Sequence, residues 1–211
     1  LHDALPISTT PTSTPGCWPS SDIIFVFDAS TSIEERELCG APGTFTKMKL
    51  FANALVQTVA DEFHLKTGRI RFGAISFADN ATVVLELGDT TGVNRGDEII
   101  DAINTMEYSG GGGKYSQTNT HLGLAAARAM FTESSAGRLD QAMPIMIMIT
   151  DGHARNNGGH APQQLEAELR HPFYSSNSSR WAYGVGCRVD RVELGLLVGG
   201  DQEKTGLLKS G

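Results

Sequence analysis

The chain has 211 residues and a formal net charge of −7, because 17 lysine and arginine residues face 24 aspartate and glutamate residues. Its hydrophobic content of 40% excludes a disordered chain and predicts one large domain with a core, and no apolar run is long enough to span a membrane. An acidic chain without a basic block is a poor candidate for nucleic-acid binding and is better suited to binding a cation.

The two ends of the chain have a different composition from the middle. Residues 1–7 resemble a translated sequencing adapter, which we interpret as a scar, and residues 8–20 are rich in Ser, Thr and Pro. Such a tract has no apolar surface to bury, so it predicts an extended linker, either O-glycosylated or a plain tail. We therefore expect the folded domain over residues 21–205, followed by a truncated C-terminal end at 206–211.

The hydrophobic pattern of the first half alternates between strands and helices. Residues 23–27 form a continuous apolar run, which is typical of a strand buried on both faces. A helix is predicted from residue 47 to residue 63, because apolar residues recur there at offsets of three and four. The strands predicted at 69–77 and 81–87 are so close together that we expect an antiparallel hairpin.

The second half continues the same alternation. Its predicted elements are a helix capped by Asp97, a helix at 122–130, a strand at 144–150, a helix at 162–170, a strand at 181–185 and a helix at 192–197. This order predicts a doubly wound α/β fold: an open, mostly parallel sheet with one antiparallel edge strand and helices on both faces.

Oxygen-bearing side chains gather where the predicted strands end. Ligands of doubly wound sheets bind beyond the carboxyl ends of the strands, so we expect these oxygens to meet there. Each piece alone has a structural explanation, since serines cap helices and an aspartate closes a turn, but all three pieces in this order favour a site. Carboxylates and hydroxyls suit the hard cations Mg²⁺, Mn²⁺ and Ca²⁺. The candidate metal ligands are Asp28, Ser30, Ser32, Thr118 and Asp151.

These motifs resemble those of the von Willebrand factor A domain family, which includes the integrin inserted domains. They are Asp-x-Ser-x-Ser after the first strand, a Gly-rich Thr-x-Thr before a helix, and a strand that ends in Thr-Asp-Gly. The resemblance covers about residues 22–201. It implies a Rossmann-like fold with a metal-ion-dependent adhesion site.

The resemblance also implies a role for each ligand. By this likeness Ser30, Ser32 and Thr118 bind the metal directly, whereas Asp28 and Asp151 act largely through water.

One departure from the family pattern affects the ligand assignment. Residues 114–117 lie between the glycine run and Thr118, where family sequences run straight on, so either Thr118 or Thr120 can be the ligand. The residues expected at the ligand-binding rim are Gly112, Gly113, Thr120, Gly152 and His153.

The implied function is a binding module that catalyses nothing. The metal would bridge to an Asp or Glu carboxylate of a protein partner from the extracellular matrix or a cell surface. A metal-dependent hydrolase is disfavoured, because no acid–base pair stands beside the candidate metal ligands, and the chain has neither the Gly-x-Ser-x-Gly elbow of a serine nucleophile nor the Asp-x-Asp motif of a phosphatase after its first strand. The alternative is an intracellular scaffold subunit of a multiprotein or metal-chelatase-like complex.

The linker, the cysteines and two glycosylation sequons favour an extracellular or cell-surface location over an intracellular one. The sequons begin at Asn80 and Asn177. If a disulfide forms, we expect it between Cys39 and Cys187, because both follow parallel strands at the same edge of the sheet, whereas Cys17 precedes the first strand.

Overall fold

A computed structural model describes nine stretches of the chain: 20–34, 43–61, 69–87, 96–109, 116–133, 142–154, 161–175, 178–186 and 189–208. Within these stretches no helix combines the length and the apolar character needed to cross a membrane. The strands are β1 (Ser21–Asp28), β2 (Ile70–Phe77), β3 (Ala81–Leu85), β4 (Met143–Thr150), β5 (Ser179–Val185) and β6 (Thr205–Leu208). The helices are α1 (Thr44–Asp61), α2 (Gly96–Asn104), α3 (Thr120–Thr132), α4 (Ala161–Leu169), α5 (Pro172–Ser175) and α6 (Arg191–Leu197).

The strands form one six-stranded sheet in the order β3-β2-β1-β4-β5-β6. All neighbouring pairs are parallel except β2 and β3, which form the antiparallel hairpin at one edge. The predicted sheet, mostly parallel with one antiparallel edge strand, is thus confirmed. In this register Asp28 lies opposite Phe77 and Phe27 lies opposite Ile149, so the carboxyl ends of the central strands share one edge.

The core lies on both faces of the sheet, because the central strand β1 carries an unbroken apolar run at residues 23–27. In β1, Ile24 and Val26 belong to the cluster that packs beneath α3, α4, α5 and α6. Phe25 and Phe27 belong to the opposite cluster, beneath α1 and α2. The prediction of helices on both faces is therefore confirmed, and the apolar run of residues 23–27 is explained by burial on two sides.

The structure differs from the predicted elements at several places, among them the four-residue helix α5, which the sequence pattern did not predict. Strand β6 was not predicted: it pairs with β5 across Tyr183 and Gly206, so the sheet runs past the domain boundary expected at residue 205. Helix α1 begins three residues earlier than predicted, at Thr44. Asp97 is the second residue of α2 rather than its cap, and its charge lies in the first turn, where it favours the helix dipole.

Candidate metal-binding site

Asp28 lies at the end of β1, where its carboxylate is fully buried. One carboxylate oxygen, Oδ1, accepts the backbone N–H of Ser30 at 2.9 Å, and the other, Oδ2, accepts the hydroxyl of Thr150 at 2.6 Å. Burial raises the pKa of Asp28 to about 7, and the nearby carboxylate of Asp151 adds to the rise. Both the loss of solvent and the nearby Asp151 therefore disfavour the charged form of the Asp28 carboxyl group.

Thr150, the last residue of β4, connects Asp28 to the next loop. While its hydroxyl donates to Asp28, the same oxygen accepts the backbone N–H of Gly152 at 3.0 Å. Thr150 is fully buried, so both bonds are shielded from water. One hydroxyl therefore fixes the Asp28 carboxylate relative to the loop that carries Asp151.

The loop after β4 carries Asp151, which is also buried. Its Oδ1 accepts the backbone N–H of His153 at 3.1 Å, and its carbonyl oxygen accepts the N–H of Asp190 at 3.0 Å. Gly152 has φ +76°, and a Cβ there would lie 2.8 Å from the carbonyl oxygen of Asp190. The glycine of the Thr-Asp-Gly motif is thus required both by its backbone conformation and by this close approach.

Ser30 and Ser32 lie beside Asp28 around a 3₁₀ turn at Thr31–Ile33. Their hydroxyl oxygens are 3.0 Å apart, with Ser30 fully buried and Ser32 half-buried. Ser30 precedes the turn, but its side chain makes no capping hydrogen bond. The capping explanation for Ser30 therefore does not hold, and its hydroxyl faces that of Ser32 instead.

A pair of anchors holds the segment before Thr118 against the first motif. The hydroxyl of Ser116 accepts the N–H of Thr31 at 2.9 Å, and the N–H of Ser116 donates to the hydroxyl of Thr31 at 2.6 Å. Further back, the N–H of Ser109 donates to the carbonyl oxygen of Ala29 at 3.1 Å. Ser109 and Ser116 are thus both hydrogen-bonded to the segment that carries the first motif.

The β2–β3 hairpin holds the residues on either side of Thr118. The backbone N–H of Gln117 donates to Oδ1 of Asp79 at 2.8 Å. The side-chain amide of Asn119 donates to the backbone carbonyl oxygen of Asp79 at 3.0 Å. Thr118 itself is 3% exposed. Its position is therefore fixed from two sides, by the hairpin and by the first motif.

Thr120 is the first residue of α3, and its hydroxyl is directed towards α6. It donates to Oε1 of Glu193 at 3.3 Å, while Oε2 of Glu193 accepts the N–H of Ala154 at 2.8 Å. Burial raises the pKa of Glu193 to about 8. The two threonines that the sequence left open thus differ in their surroundings, because the Thr120 hydroxyl is directed towards Glu193 of α6.

Sequence reasoning missed two residues whose side chains connect the segments of the candidate site, Thr150 and Glu193. Thr150 belongs to the Thr-Asp-Gly motif, but nothing in the sequence shows that its hydroxyl bonds a residue 122 positions away. Asp190 and Glu193 have the spacing of a capping box, in which the glutamate accepts the N–H of the cap residue. Here Asp190 caps α6, but its N–H goes to Asp151, and Glu193 turns inward.

Several predicted residues lie outside the described stretches: Gly112, Gly113, Cys39, Cys187 and Asn177. Asn80 is described, and it is exposed at the tip of the β2–β3 hairpin. Across the nine described stretches, no group of three or more His, Cys, Asp or Glu side chains could hold a metal ion. A cation at this edge would therefore depend on hydroxyl oxygens as well as on the two carboxylates.

The sequence of this chain is similar to a known domain family and to a collagen chain. The family model described as von Willebrand factor type A domain matches residues 22–205. The collagen alpha-6(VI) chain of Mus musculus is 32% identical over 136 residues, which are 64% of this chain and 5% of the collagen chain. The present chain therefore corresponds to a small part of that relative.

Two solved structures of proximal thread matrix protein 1 from the mussel byssus are similar to this fold. One has a TM-score of 0.67 and 26% sequence identity, covering 92% of this chain and 43% of the byssus protein. The other has a TM-score of 0.67 and 22% sequence identity, and it covers 92% of this chain and 45% of the byssus protein. It is described as having a zinc-occupied MIDAS motif, the abbreviation of metal-ion-dependent adhesion site. The chain spans less than half of the byssus protein.

Proposed function

Because this chain belongs to the von Willebrand factor type A domain family, we propose that it is an adhesion module that binds a protein partner through a divalent cation. The proposed metal ligands are Asp28, Ser30, Ser32, Thr118 and Asp151. The metal-occupied MIDAS motif of a structural neighbour supports this proposal, as does the oxygen chemistry of the site.

The observation that carries the proposal is the pair of carboxylates at the carboxyl edge of the sheet. Asp28 and Asp151 are both buried and close enough to raise the pKa of Asp28. In the part of the chain that the structure describes, no ion pair reaches either of them. Buried negative charges without a counter-ion are unfavourable, and a divalent cation would remove that penalty.

The hydrogen bonds support separate roles for the ligands. Both oxygens of Asp28 already accept hydrogen bonds, which suits binding through water rather than direct coordination. Ser30 and Thr118 are buried and offer neutral oxygens, and we propose the direct role for Thr118 rather than Thr120 because the Thr120 side chain is directed towards Glu193 of α6. When bound, the ion would supply an electrophilic position for a carboxylate oxygen of the partner, since neutral ligands leave its charge largely uncompensated.

The cation is proposed to be Mg²⁺, with Mn²⁺ or Ca²⁺ as substitutes, because all five ligands are oxygen donors. The partner is proposed to be an extracellular matrix or cell-surface protein that presents an Asp or Glu side chain. The collagen and byssal matrix relatives support that class of partner and an extracellular location. The module is proposed to catalyse no reaction.

The metal site is tested by calorimetry with Mn²⁺ on EDTA-treated, dialysed protein. We expect micromolar to millimolar binding in the wild type and none in Asp28→Ala or Asp151→Ala. Asp101→Ala, which removes the same charge from an exposed position on α2, serves as the control and should bind Mn²⁺ like the wild type. Equal binding in wild type and Asp28→Ala would contradict the site assignment.

The open coordination position is tested by water-proton relaxation of the Mn²⁺-loaded protein. Adding N-acetylaspartate α-amide, in which only the side-chain carboxylate is free, should lower the relaxation enhancement, because this carboxylate displaces water from the metal. The neutral N-acetylasparagine amide, used as the control, should leave the enhancement unchanged. If both compounds act alike, the carboxylate bridge is wrong.

The extracellular location is tested at Asn80, whose side chain is exposed on the hairpin tip. Secretion from animal cells should place an N-linked glycan there, detected as a mass loss after peptide N-glycosidase treatment that is absent in Asn80→Gln. A secreted protein with an unmodified Asn80 would remove this support for the location.

A further inference from the structure

Glu193 is a buried carboxylate that is not among the proposed metal ligands. Its residue is 8% exposed, and its side chain leaves α6 to contact two other elements. Oε2 accepts the N–H of Ala154 at 2.8 Å, and Oε1 accepts the hydroxyl of Thr120 at 3.3 Å. Ala154 is three residues after Asp151, and Thr120 is two residues after Thr118. One carboxylate therefore touches both of the distant segments that carry these two proposed ligands.

The first turn of α6 is itself fixed against the loop that carries Asp151. The N–H of Asp190 donates to the carbonyl oxygen of Asp151 at 3.0 Å. Oδ1 of Asp190 caps the helix by accepting the N–H groups of Val192 and Glu193. The start of α6 and the Asp151 loop therefore form one hydrogen-bonded unit, and the Thr120 contact of Glu193 joins that unit to α3.

The inward position of Glu193 is unfavourable by itself. A glutamate at this place in a helix normally stays near solvent and accepts the N–H of the cap residue. Glu193 instead loses most of its hydration, and within the described stretches its partners are one backbone N–H and one hydroxyl rather than a cation. The free-energy cost of burying Glu193 is explained if its contacts with Ala154 and Thr120 serve the neighbouring candidate metal site.

We propose that Glu193 is a positioning residue that holds the segments of Thr118 and Asp151 at the separation that metal binding requires. This inference rests on the proposed function. The carboxylate acts through the backbone of Ala154 and the hydroxyl of Thr120, and it does not coordinate the metal.

The test compares Glu193→Ala, Glu193→Gln and a matched control by Mn²⁺ calorimetry. Glutamine has the same shape: its oxygen can accept the Ala154 N–H and its amide can donate to the Thr120 hydroxyl, so binding should stay within about threefold of wild type. Alanine removes both contacts and should weaken Mn²⁺ binding about 10- to 100-fold, as loss of a residue that orients metal ligands does.

The control variant is Glu168→Ala. Glu168 also joins α3 to another helix, through hydrogen bonds from Arg128, and among the described residues none of its hydrogen bonds reaches the Asp151 loop. We expect it to lower the unfolding temperature without changing Mn²⁺ affinity. Unchanged affinity in folded Glu193→Ala, or an equal loss in Glu168→Ala, would overturn the positioning role. If Glu193→Ala does not fold, Thr120→Val, which removes one of the two contacts, replaces it.

A second readout needs no metal. In EDTA, amide hydrogen exchange over residues 118–120 and 151–154 should be faster in Glu193→Ala than in wild type and unchanged in Glu168→Ala. Unchanged exchange in Glu193→Ala would overturn this inference alone. A wild type that binds no Mn²⁺ but shows the exchange difference would instead refute the proposed function and leave the positioning contacts established.

Discussion

Replacing Thr150 by valine removes one hydroxyl while keeping the shape of the side chain. That hydroxyl donates to the Asp28 carboxylate at 2.6 Å and accepts the Gly152 N–H at 3.0 Å, in a fully buried position. A hydrogen bond to a charged group contributes about 1.5–3 kcal/mol, and leaving a buried N–H unsatisfied costs about 1–3 kcal/mol. Thr150→Val should therefore lower the free energy of unfolding by about 2.5–6 kcal/mol, a large part of the ~5–15 kcal/mol typical of a domain.

The same substitution should weaken metal binding, because Asp28 loses the donor that orients it. We expect Mn²⁺ affinity to fall about 10- to 100-fold. Urea unfolding in EDTA measures the stability change, and calorimetry measures the affinity. Thr150→Ser, which keeps the hydroxyl, should retain most of both.

Thr58→Val is the matched control for this prediction. The Thr58 hydroxyl donates to the Ala54 carbonyl oxygen at 2.8 Å on an exposed part of α1, so its loss should change stability by less than about 0.5 kcal/mol. If Thr150→Val is no less stable than Thr58→Val and binds Mn²⁺ like the wild type, the Thr150 hydroxyl does not organise the site.

Three further predictions follow from buried groups. Burial raises the pKa of Asp28 from 3.8 to about 7 and that of Glu193 from 4.5 to about 8, so the folded metal-free protein holds more protons than the unfolded chain between these values. The stability that these two groups contribute is present below about pH 4 and lost as the pH rises through 7–8. The unfolding temperature in EDTA should therefore fall more between pH 5 and pH 8 in wild type than in Asp28→Asn, and equal falls would contradict this. Asp28→Asn should also unfold at a higher temperature than wild type at pH 8 in EDTA while binding no Mn²⁺, and a lower unfolding temperature would contradict the proposed charge penalty. Gly152→Ala should destabilise more than Gly200→Ala: both glycines have positive φ, but only at Gly152 would the new Cβ meet Asp190, and equal unfolding temperatures would exclude that contact as the cause.

The fold was largely predictable because its central strands carry an unambiguous signal. The apolar runs at 23–27 and 144–149 have no polar position, and burial on both faces of β1 and β4 explains why. Strand β6 has no such signal, since it is four residues long, Thr-Gly-Leu-Leu, and one of the four is a glycine. Its residues form a strand because they pair in parallel with β5, and a pairing with a distant strand cannot be inferred from four residues.

The sequence predicted which segments meet at the candidate site, but it did not predict the hydrogen bonds between them. Asp28, Ser30 and Asp151 follow predicted strands, so the topology brought them to one edge without knowledge of their contacts. The links that organise the edge join residues far apart in the chain: Thr150 bonds Asp28 across 122 positions, and Thr120 bonds Glu193 across 73. Local pattern carries no information about such pairs, and the ligand assignment itself stays a prediction.

The two anchors around residues 109 and 116 have a consequence for how such a domain can acquire new partners. Ser109 is held by Ala29, and Ser116 is held by Thr31, so both ends of the intervening chain are fastened to the same short stretch after β1. Lengthening a loop whose ends are already fixed costs only about 0.6 kcal/mol per doubling. Because both anchors lie outside residues 110–115, we expect sequence changes between Ser109 and Ser116 to leave the anchored approach to Thr118 in place, and a new recognition sequence is best grafted there, beside the proposed metal site.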